Sequence, residues 1–501
     1  MPRRTRSAEK PVVVIGAGVA GLVAAFALAS KGVPTMVVEK ADRPGGKMRR
    51  APLQSQSFDA GPTVLTMRWV FEELFAEAGL SFANCVPTRR AQILARHAWD
   101  ESGYFDLHAD VSRSTEEIAR LAGTEEARRF TQFCAQARGT YQALEHSFLK
   151  AHRPSMSALV GRICTRRPAD LLAIRPFETL WRALGRYFHD PRLRQLFGRY
   201  ATYCGSSPYD APATLMLIAH VEQDGVWLVD GGMFRIAEVL EQMARERGVR
   251  FRYGSEAVGI GIDAQGACGV ELRGGEVLPA SSVIVNADAA AVSLGKLGAA
   301  AKAAVPAAHE QPRSLSAITW LVHAPVRGFP LLRHNVFFSR DYAAEFSALF
   351  GARQVPSEPT IYVCAQDRGA DAGDSPAQGA ERLMCLINAP ADGDRPGPAW
   401  DESTSGERVF GMLERFGLRV DRSGASVQQT TPRQFAQLYP GSGGALYGGV
   451  THGWRATFQR PGAGTSVPGL YLAGGSVHPG PGVPMAALSG RLAAQQVLEN
   501  L

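Results

Sequence analysis

The seven cysteines of this 501-residue chain stand at positions 85, 134, 164, 204, 268, 364 and 385, and no two form a Cys-x-x-Cys pair. A disulfide framework and a zinc knuckle are therefore not the expectation. Buried reduced thiols in a reducing, cytosolic compartment are. No His, Cys and acidic side chains recur at metal-ligand spacing, so no metal site is expected. No run reaches the ~18–20 apolar residues that a membrane-spanning helix needs, which leaves a soluble or peripheral protein. Charged residues make up only 20% of the chain, and 53 glycines with 31 prolines fall short of the ~25–30% typical of disordered, low-complexity chains. No internal repeat and no nucleic-acid-binding motif is found. What remains is a large globular chain, 45% hydrophobic, with ample length for a buried core.

Charge is unevenly placed. The chain carries 54 basic and 47 acidic residues, a formal net charge of +7. Residues 146–200 alone hold eleven Lys and Arg against three acids. There the basic residues interleave with Leu, Ile, Phe and Trp, as in LLAIRPFETLWRALGRYF, and such a segment can lie on an anionic lipid surface. A solvated arginine-rich helix face is the competing reading. The basic N-terminal residues before the first apolar stretch imitate a secretion signal, but Gly16, Gly18 and Gly21 inside that stretch read better as a strand turning into a helix.

The chain alternates in character. Residues 11–65 read as strand–helix–strand with glycine loops. Residues 66–225 read as mostly helical. Residues 226–295 read as a helix followed by short strands, 296–440 as mixed helix and strand, and 441–501 as a glycine-rich strip and a helix. The first, third and last blocks share their chemistry. We expect one discontinuous cofactor domain (1–97, 226–295 and 440–501) with two insertions, a helical region (98–225) and a substrate domain (296–439).

The strongest local signal is PVVVIGAGVAGLVAAFALASKG. Val12 to Ile15 form a continuous apolar run, as in a parallel strand buried on both faces. Gly16, Gly18 and Gly21 form G-x-G-x-x-G at the strand-to-helix turn. They serve the tight turn, the close approach of a pyrophosphate and close helix–strand packing, respectively. The following helix offers free N–H groups and the positive end of its dipole. A second strand, Thr35 to Val38, ends at Glu39, eighteen residues beyond Gly21. That spacing suits a carboxylate accepting hydrogen bonds from a ribose. Strand, helix, second strand and acid in order predict a dinucleotide site.

Just after it, RPGGKMRR supplies Gly45 and Gly46 for another close backbone approach and Lys47 to offset negative charge. Here the sequence resembles the flavoprotein superfamily of amine oxidases and carotenoid desaturases, in which R-x-G-G-[RK] follows the second strand. The bound dinucleotide is then FAD. Over 473–484, AGGSVHPGPGVP is similar to the C-terminal signature of bacterial phytoene-desaturase-type carotenoid dehydrogenases. GVWLVDGGMFRIAEVLEQMA (225–244) and YATYCGSSPYDAPATLMLIAHVE (200–222) resemble two further tracts of that family. Within it the chain looks most like the hydroxycarotenoid 3,4-desaturases (hydroxyneurosporene or methoxyneurosporene dehydrogenases).

The resemblance implies an α/β fold: a Rossmann-type FAD-binding domain of the amine-oxidase and phytoene-desaturase kind, with an inserted α+β substrate domain and a helical membrane-facing segment. It implies FAD contacts from Gly16, Ala17, Gly18, Ala20, Gly21, Glu39, Lys40, Gly45, Gly46, Lys47, and the stretch Gly61, Pro62, Thr63 and Val64. Val258 would meet the adenine through its backbone. Asn286 and Asp288 follow a buried strand and either lie near the cofactor or cap a helix. Gly474, Gly475 and Ser476 would form the C-terminal turn. Many relatives have Gly-Asp there, so a carboxylate contact to the ribityl chain is not expected from this turn. Val483, Pro484 and Met485 open a helix whose N-terminus would face the flavin, with Met485 packed on the ring.

The implied activity is oxidation of a C–C single bond of an acyclic C40 carotenoid to a double bond, by hydride transfer to flavin plus proton loss, in carotenoid biosynthesis for photosynthetic pigment. The implied partners are the apolar carotenoid, an anionic membrane surface, and quinone or oxygen as electron acceptor. The implied location is cytoplasmic, peripheral on the inner membrane. Loss of hydride leaves a delocalised cation whose proton is acidic, so a weak base or water suffices and orientation supplies much of the rate. Candidate bases are His478 and Glu222, with His220 nearby; each also fits a purely structural role. Alternatives are a phytoene desaturase or a carotenoid isomerase of the same family. An amine oxidase is a further reading, although no Cys near the C-terminal turn is placed to tether FAD. From another class comes a lipid-binding protein of the GDP-dissociation-inhibitor type, against which Glu39 and both glycine motifs argue.

Overall fold

A five-stranded parallel sheet is built from four distant parts of the chain, and its centre is the opening strand Val12–Ile15. This strand pairs with Thr35–Val38 on one side and Ser282–Val285 on the other. Leu470–Leu472 and Arg250–Arg252 form the edges. The three central strands are buried at every position, so their unbroken apolar runs follow from having both faces covered. One face is covered by the helices Val19–Ala29 and Val483–Asn500, which pack along each other beside Arg235–Glu246. The other is covered by a three-stranded antiparallel sheet, Ala257–Asp263, Gly266–Leu272 and Val277–Pro279. The computed structural model describes residues 10–100, 103–151, 177–305, 308–369, 379–395 and 402–501.

The second layer is a large mixed sheet. Its backbone is the thirteen-residue strand Ser316–Gly328, which pairs antiparallel with Ala380–Ala389 and Ser426–Thr430. Leu418–Val420 pairs with the end of the long strand, Ile361–Ala365 and His334–Phe337 extend the sheet, and Ile93–Ala98 and Tyr104–His108 complete it. These last two strands differ from the expectation of a helical block over 66–225. Ile93–Ala98 holds Arg96 and His97 inside the sheet, which hides its strand character from a reading of apolar residues alone. Arg96 is accommodated by a bidentate ion pair with Asp106 on the neighbouring strand, at 2.7 Å for each bond. His97 stacks between Trp99, Phe105 and Phe338.

The helical expectation holds for Val111–Ala122, Thr124–Leu144, Leu180–Tyr187 and Pro191–Gly198. Their apolar faces share a core rich in Phe130, Phe133, Phe188 and Phe197. Of the basic segment, Leu180–Tyr187 buries Leu180, Ala183 and Leu184, while Arg186 turns outward to Glu178. Arg162, Arg166 and Arg167 lie outside the described residues.

Candidate active site

The glycine turn has the geometry its spacing predicts. Gly16 sits at φ +100, a backbone region that a side chain rarely adopts. A Cβ on Gly21 would overlap the Gly16 carbonyl oxygen, and one on Gly18 would stand 2.7 Å from Asn286 Oδ1. The helix Val19–Ala29 begins at Gly18 without a side-chain cap, which leaves first-turn N–H groups for a ligand. The second glycine pair abuts the first. Gly45 N–H donates to the Ala17 carbonyl at 2.8 Å, and a Cβ on Gly46 would lie 3.1 Å from Gly18 Cα.

Glu39 closes this turn. One carboxylate oxygen accepts from Ala17 N–H at 2.7 Å and the other from Ala41 N–H at 2.8 Å. Each oxygen keeps a second lone pair, and Glu39 faces the cavity. The side chain therefore orders the loop and still has acceptor capacity for a ribose.

Asn286 carries a role that sequence patterns did not show. Its Oδ1 accepts from Gly21 N–H at 2.9 Å, and its Nδ2 donates to the Ala473 carbonyl at 3.0 Å. It thus ties the first glycine turn, 265 residues before it, to the C-terminal one, 187 residues after it. Asp288, two residues on, caps the short helix Ala289–Ser293 through Ala290 N–H. Of the two readings left open, Asp288 therefore takes the cap while still lining the cavity, and Asn286 takes a third role as a clamp. Ser476 accepts from Ala289 N–H, and Ser489 accepts from Gly474 N–H. The first bond ties the C-terminal turn to the helix Ala289–Ser293 and the second to the helix Val483–Asn500, whose first turn faces the cavity.

One cavity of about 1210 Å³ runs past all these groups. It exceeds the ~300–1,000 Å³ of a single drug-sized ligand site. Its wall includes Gly16, Gly18, Ala20, Glu39, Lys40, Gly45, Gly46 and Lys47, then Gly61 to Val64, Val258, Asn286 and Asp288, then Gly474, Gly475, Ser476, Val483, Pro484 and Met485. Ala17 and Gly21 are buried directly behind it. Beyond this glycine-lined part the wall becomes apolar, with Leu144, Phe148, Leu215, Ile218, Met384 and Leu386. A glycine cradle, an acceptor at ribose spacing and a helix N-terminus along one wall fit a dinucleotide. The apolar extension leaves room for a second, greasy molecule.

Two basic residues on this wall hold backbone carbonyls. Lys47 donates to the Leu446 carbonyl at 2.8 Å, and burial lowers its pKa, so it anchors the loop 445–446 as well as lining the cavity. Arg460, which the sequence reading did not single out, is buried on the same wall. It donates to the carbonyls of Tyr447, Gly475 and Gly449. Only the fold brings those carbonyls together.

The candidate bases are placed off the cavity wall. His478 is 2% exposed and meets the Phe148 ring edge-on at 4.9 Å. Glu222 is buried and accepts from the hydroxyls of Tyr200 at 2.7 Å and Tyr203 at 2.8 Å; burial raises its pKa. His220 packs against Tyr141 with ring centres 5.1 Å apart. Of this group it is Tyr203, the phenol held by Glu222, that reaches the wall.

Known proteins agree with this architecture. Residues 19–498 match the family described as flavin containing amine oxidoreductase. The chain is 49% identical over 492 residues to hydroxyneurosporene desaturase of Rubrivivax gelatinosus, covering 98% of this chain and 93% of that relative. It is 42% identical to hydroxyneurosporene desaturase of Cereibacter sphaeroides, with 98% of each covered. It is 32% identical to 4,4'-diapolycopene oxygenase of a Methylomonas species, again with 98% of each covered. Among solved structures, an oxidoreductase from Methanosarcina mazei aligns with a TM-score of 0.61 at 17% identity, covering 98% of this chain and all of that one. A putrescine oxidase redesigned in its cofactor binding aligns with a TM-score of 0.62 at 15% identity, covering 98% and 99%. These structures share the fold.

Proposed function

The chain belongs to the flavin containing amine oxidoreductase family, and from that premise we propose that it desaturates an acyclic C40 carotenoid bearing a 1-hydroxyl group, introducing the 3,4 double bond. The observation that carries this reading is the continuity of the glycine-cradled dinucleotide wall with an apolar cavity. The hydroxyneurosporene desaturases at 49% and 42% identity support the substrate class. Bound FAD supplies a two-electron acceptor beside the polyene. Gly16, Gly18, Gly46, Glu39 and the helix start at Val483 hold the cofactor. Leu215, Ile218, Met384 and Leu386 exclude water and align the chain, so orientation supplies much of the rate. With Glu222 and His478 off the wall, we assign them to support: Glu222 orients Tyr203, and His478 packs the C-terminal turn.

We read the cavity mouth as membrane-facing, with the protein peripheral on the cytoplasmic face of the inner membrane and electrons leaving to quinone or oxygen. Trp454 lines the cavity, Phe177 stands 80% exposed against it, and Arg455 lies 5.0 Å over the Trp454 ring. Aromatic rings flanked by arginine suit a lipid headgroup layer. Among the described residues no helix is long and apolar enough to cross a bilayer. The test compares a 1-hydroxylated acyclic carotenoid with phytoene in liposomes holding the FAD-loaded protein. Preferred conversion of the hydroxylated substrate, with a new 3,4 double bond, is expected. Conversion of phytoene alone contradicts the substrate assignment.

A further inference from the structure

Among the described residues, the apolar part of the cavity contains one cation with most of its hydrogen-bond donors unused. Arg199 follows the helix Pro191–Gly198 and lines the cavity. Its guanidinium has five N–H donors. Among the described residues it makes one hydrogen bond, from Nη1 to Tyr203 Oη at 3.3 Å, and no ion pair; the buried carboxyls of Glu222 and Glu345 act on it only through longer-range charge. Two phenol rings hold it in place instead. Tyr203 and Tyr362 each lie 5.5 Å from it, centre to centre, a geometry that offsets part of the loss of water around a cation.

The phenols are themselves oriented. The Tyr203 hydroxyl donates to Glu222 at 2.8 Å, so it meets Arg199 with a lone pair and keeps a second one free. The Tyr362 hydroxyl is 2.7 Å from Thr63 Oγ1 and 2.7 Å from His334 Nδ1. Thr63 belongs to the stretch assigned to the cofactor. The cluster therefore stands one hydrogen bond from the cofactor wall, not at the remote end of the cavity.

A purely hydrocarbon chain entering here would strip water from a guanidinium and return nothing, a severe penalty for a charged group. A chain with a hydroxyl at this point replaces the lost water. On a 1-hydroxylated chain the oxygen-bearing carbon and the nearer carbon of the 3,4 bond are only two carbon–carbon bonds apart. The group that reads the hydroxyl must then lie beside the reacting bond, and Arg199 and its tyrosines do. We propose that Arg199, held by Tyr203 and Tyr362, is the specificity determinant for the substrate's hydroxyl: the guanidinium donates a hydrogen bond to its oxygen, and Tyr203 Oη accepts a hydrogen bond from its O–H. This rests on the substrate class proposed above.

The experiment measures kcat/KM for a 1-hydroxylated acyclic carotenoid and for the same chain lacking the hydroxyl. It uses FAD-loaded wild type, Arg199→Met, Arg199→Lys and Tyr203→Phe. Equilibrium binding of both carotenoids is read in parallel by quenching of tryptophan fluorescence. The ratio of hydroxylated to deoxy substrate is expected to fall about 10- to 100-fold in Arg199→Met, the span of one hydrogen bond to a charged group. Arg199→Lys, which keeps charge and a donor, falls less, and Tyr203→Phe falls about 3- to 10-fold, the span of a neutral hydrogen bond. The binding ratio moves with the kinetic one. A variant that loses both activities in step while keeping the wild-type ratio overturns the proposal and leaves Arg199 a packing residue. If Arg199→Met does not fold, wild-type ratios in both Arg199→Lys and Tyr203→Phe overturn it equally. A wild type that shows no preference for the hydroxylated chain overturns the substrate assignment itself, an outcome separate from wild-type preference retained by the variants.

Discussion

Asn286 joins the two glycine turns of the proposed cofactor wall. Asn286→Ala removes an acceptor from Gly21 N–H and a donor from the Ala473 carbonyl. Both partners lie in tightly packed turns, where a Cβ on Gly18 or Gly474 would stand within 3 Å of the Asn286 amide, so little space is left for water to replace it. Each orphaned group costs about 1–3 kcal/mol, which gives about 2–6 kcal/mol for the pair. If half of that appears in cofactor affinity, FAD binding weakens about 5- to 140-fold, at about 1.4 kcal/mol per decade. The rest appears as a lower denaturation midpoint. FAD content after gel filtration, fluorescence titration of the stripped protein with FAD, and a urea melt measure the two parts. Asn286→Asp keeps the acceptor toward Gly21 but sets an oxygen against the Ala473 carbonyl, and is expected to fall between wild type and Ala. Wild-type FAD affinity and a wild-type midpoint in Asn286→Ala would refute the clamp.

Three further perturbations follow from the same structure. Glu39→Ala removes two loop hydrogen bonds to a carboxylate along with the ribose acceptor, each charge-assisted bond being worth about 1.5–3 kcal/mol; FAD retention should fall sharply while the apoprotein stays folded, and unchanged FAD content contradicts the assignment. Burial pushes both His97 and His334 down to about 3. A histidine kept neutral in the fold but free to protonate near 6.5 when unfolded gives stability that is complete above about 6.5 and is lost as pH falls toward about 3, by at most about 1.4 kcal/mol per pH unit for each. His97→Phe should therefore flatten the acid limb of the stability curve between about pH 6 and 4, and an unchanged limb contradicts this. Replacing Arg162, Arg166, Arg167 and Arg182 with Gln should weaken binding to anionic liposomes by two to three decades, at about 1 kcal/mol per charge, without changing FAD content; equal binding at low salt favours a solvated arginine face.

Much of the cofactor site could be read from the chain because its determinants are local. Gly16, Gly18 and Gly21 are fixed by one strand-to-helix turn, and Glu39 by the strand that follows. The helix from Val483 was visible because a glycine turn precedes a periodic apolar run. The groups that escaped notice act across long separations. Asn286 looks like any polar residue after a strand until Gly21 and Ala473 are brought to its two ends. Arg460 is one arginine among many until the carbonyls of Tyr447, Gly449 and Gly475 converge on it. Arg199 gains meaning only because Tyr362 arrives from the large sheet beside Thr63 of the cofactor wall. The strands Ile93–Ala98 and Tyr104–His108 were hidden for a related reason, since the Arg96–Asp106 pair that permits them is a cross-strand contact. Glu222 shows the converse. Its sequence context admits either a base or a structural role, and does not reveal that two tyrosine hydroxyls donate to it.

Flavin-dependent oxidation of a hydroxylated polyene is tested most directly by a single turnover without any external electron acceptor. FAD-loaded protein is mixed anaerobically with a 1-hydroxylated acyclic carotenoid in liposomes, and the pigment is extracted and its spectrum recorded. A red-shifted product with one additional conjugated double bond is expected, formed up to the amount of bound FAD and no further until quinone or oxygen is admitted. FAD-stripped protein should form none. An isomerised pigment with no added double bond, or product formed equally by stripped protein, would contradict it.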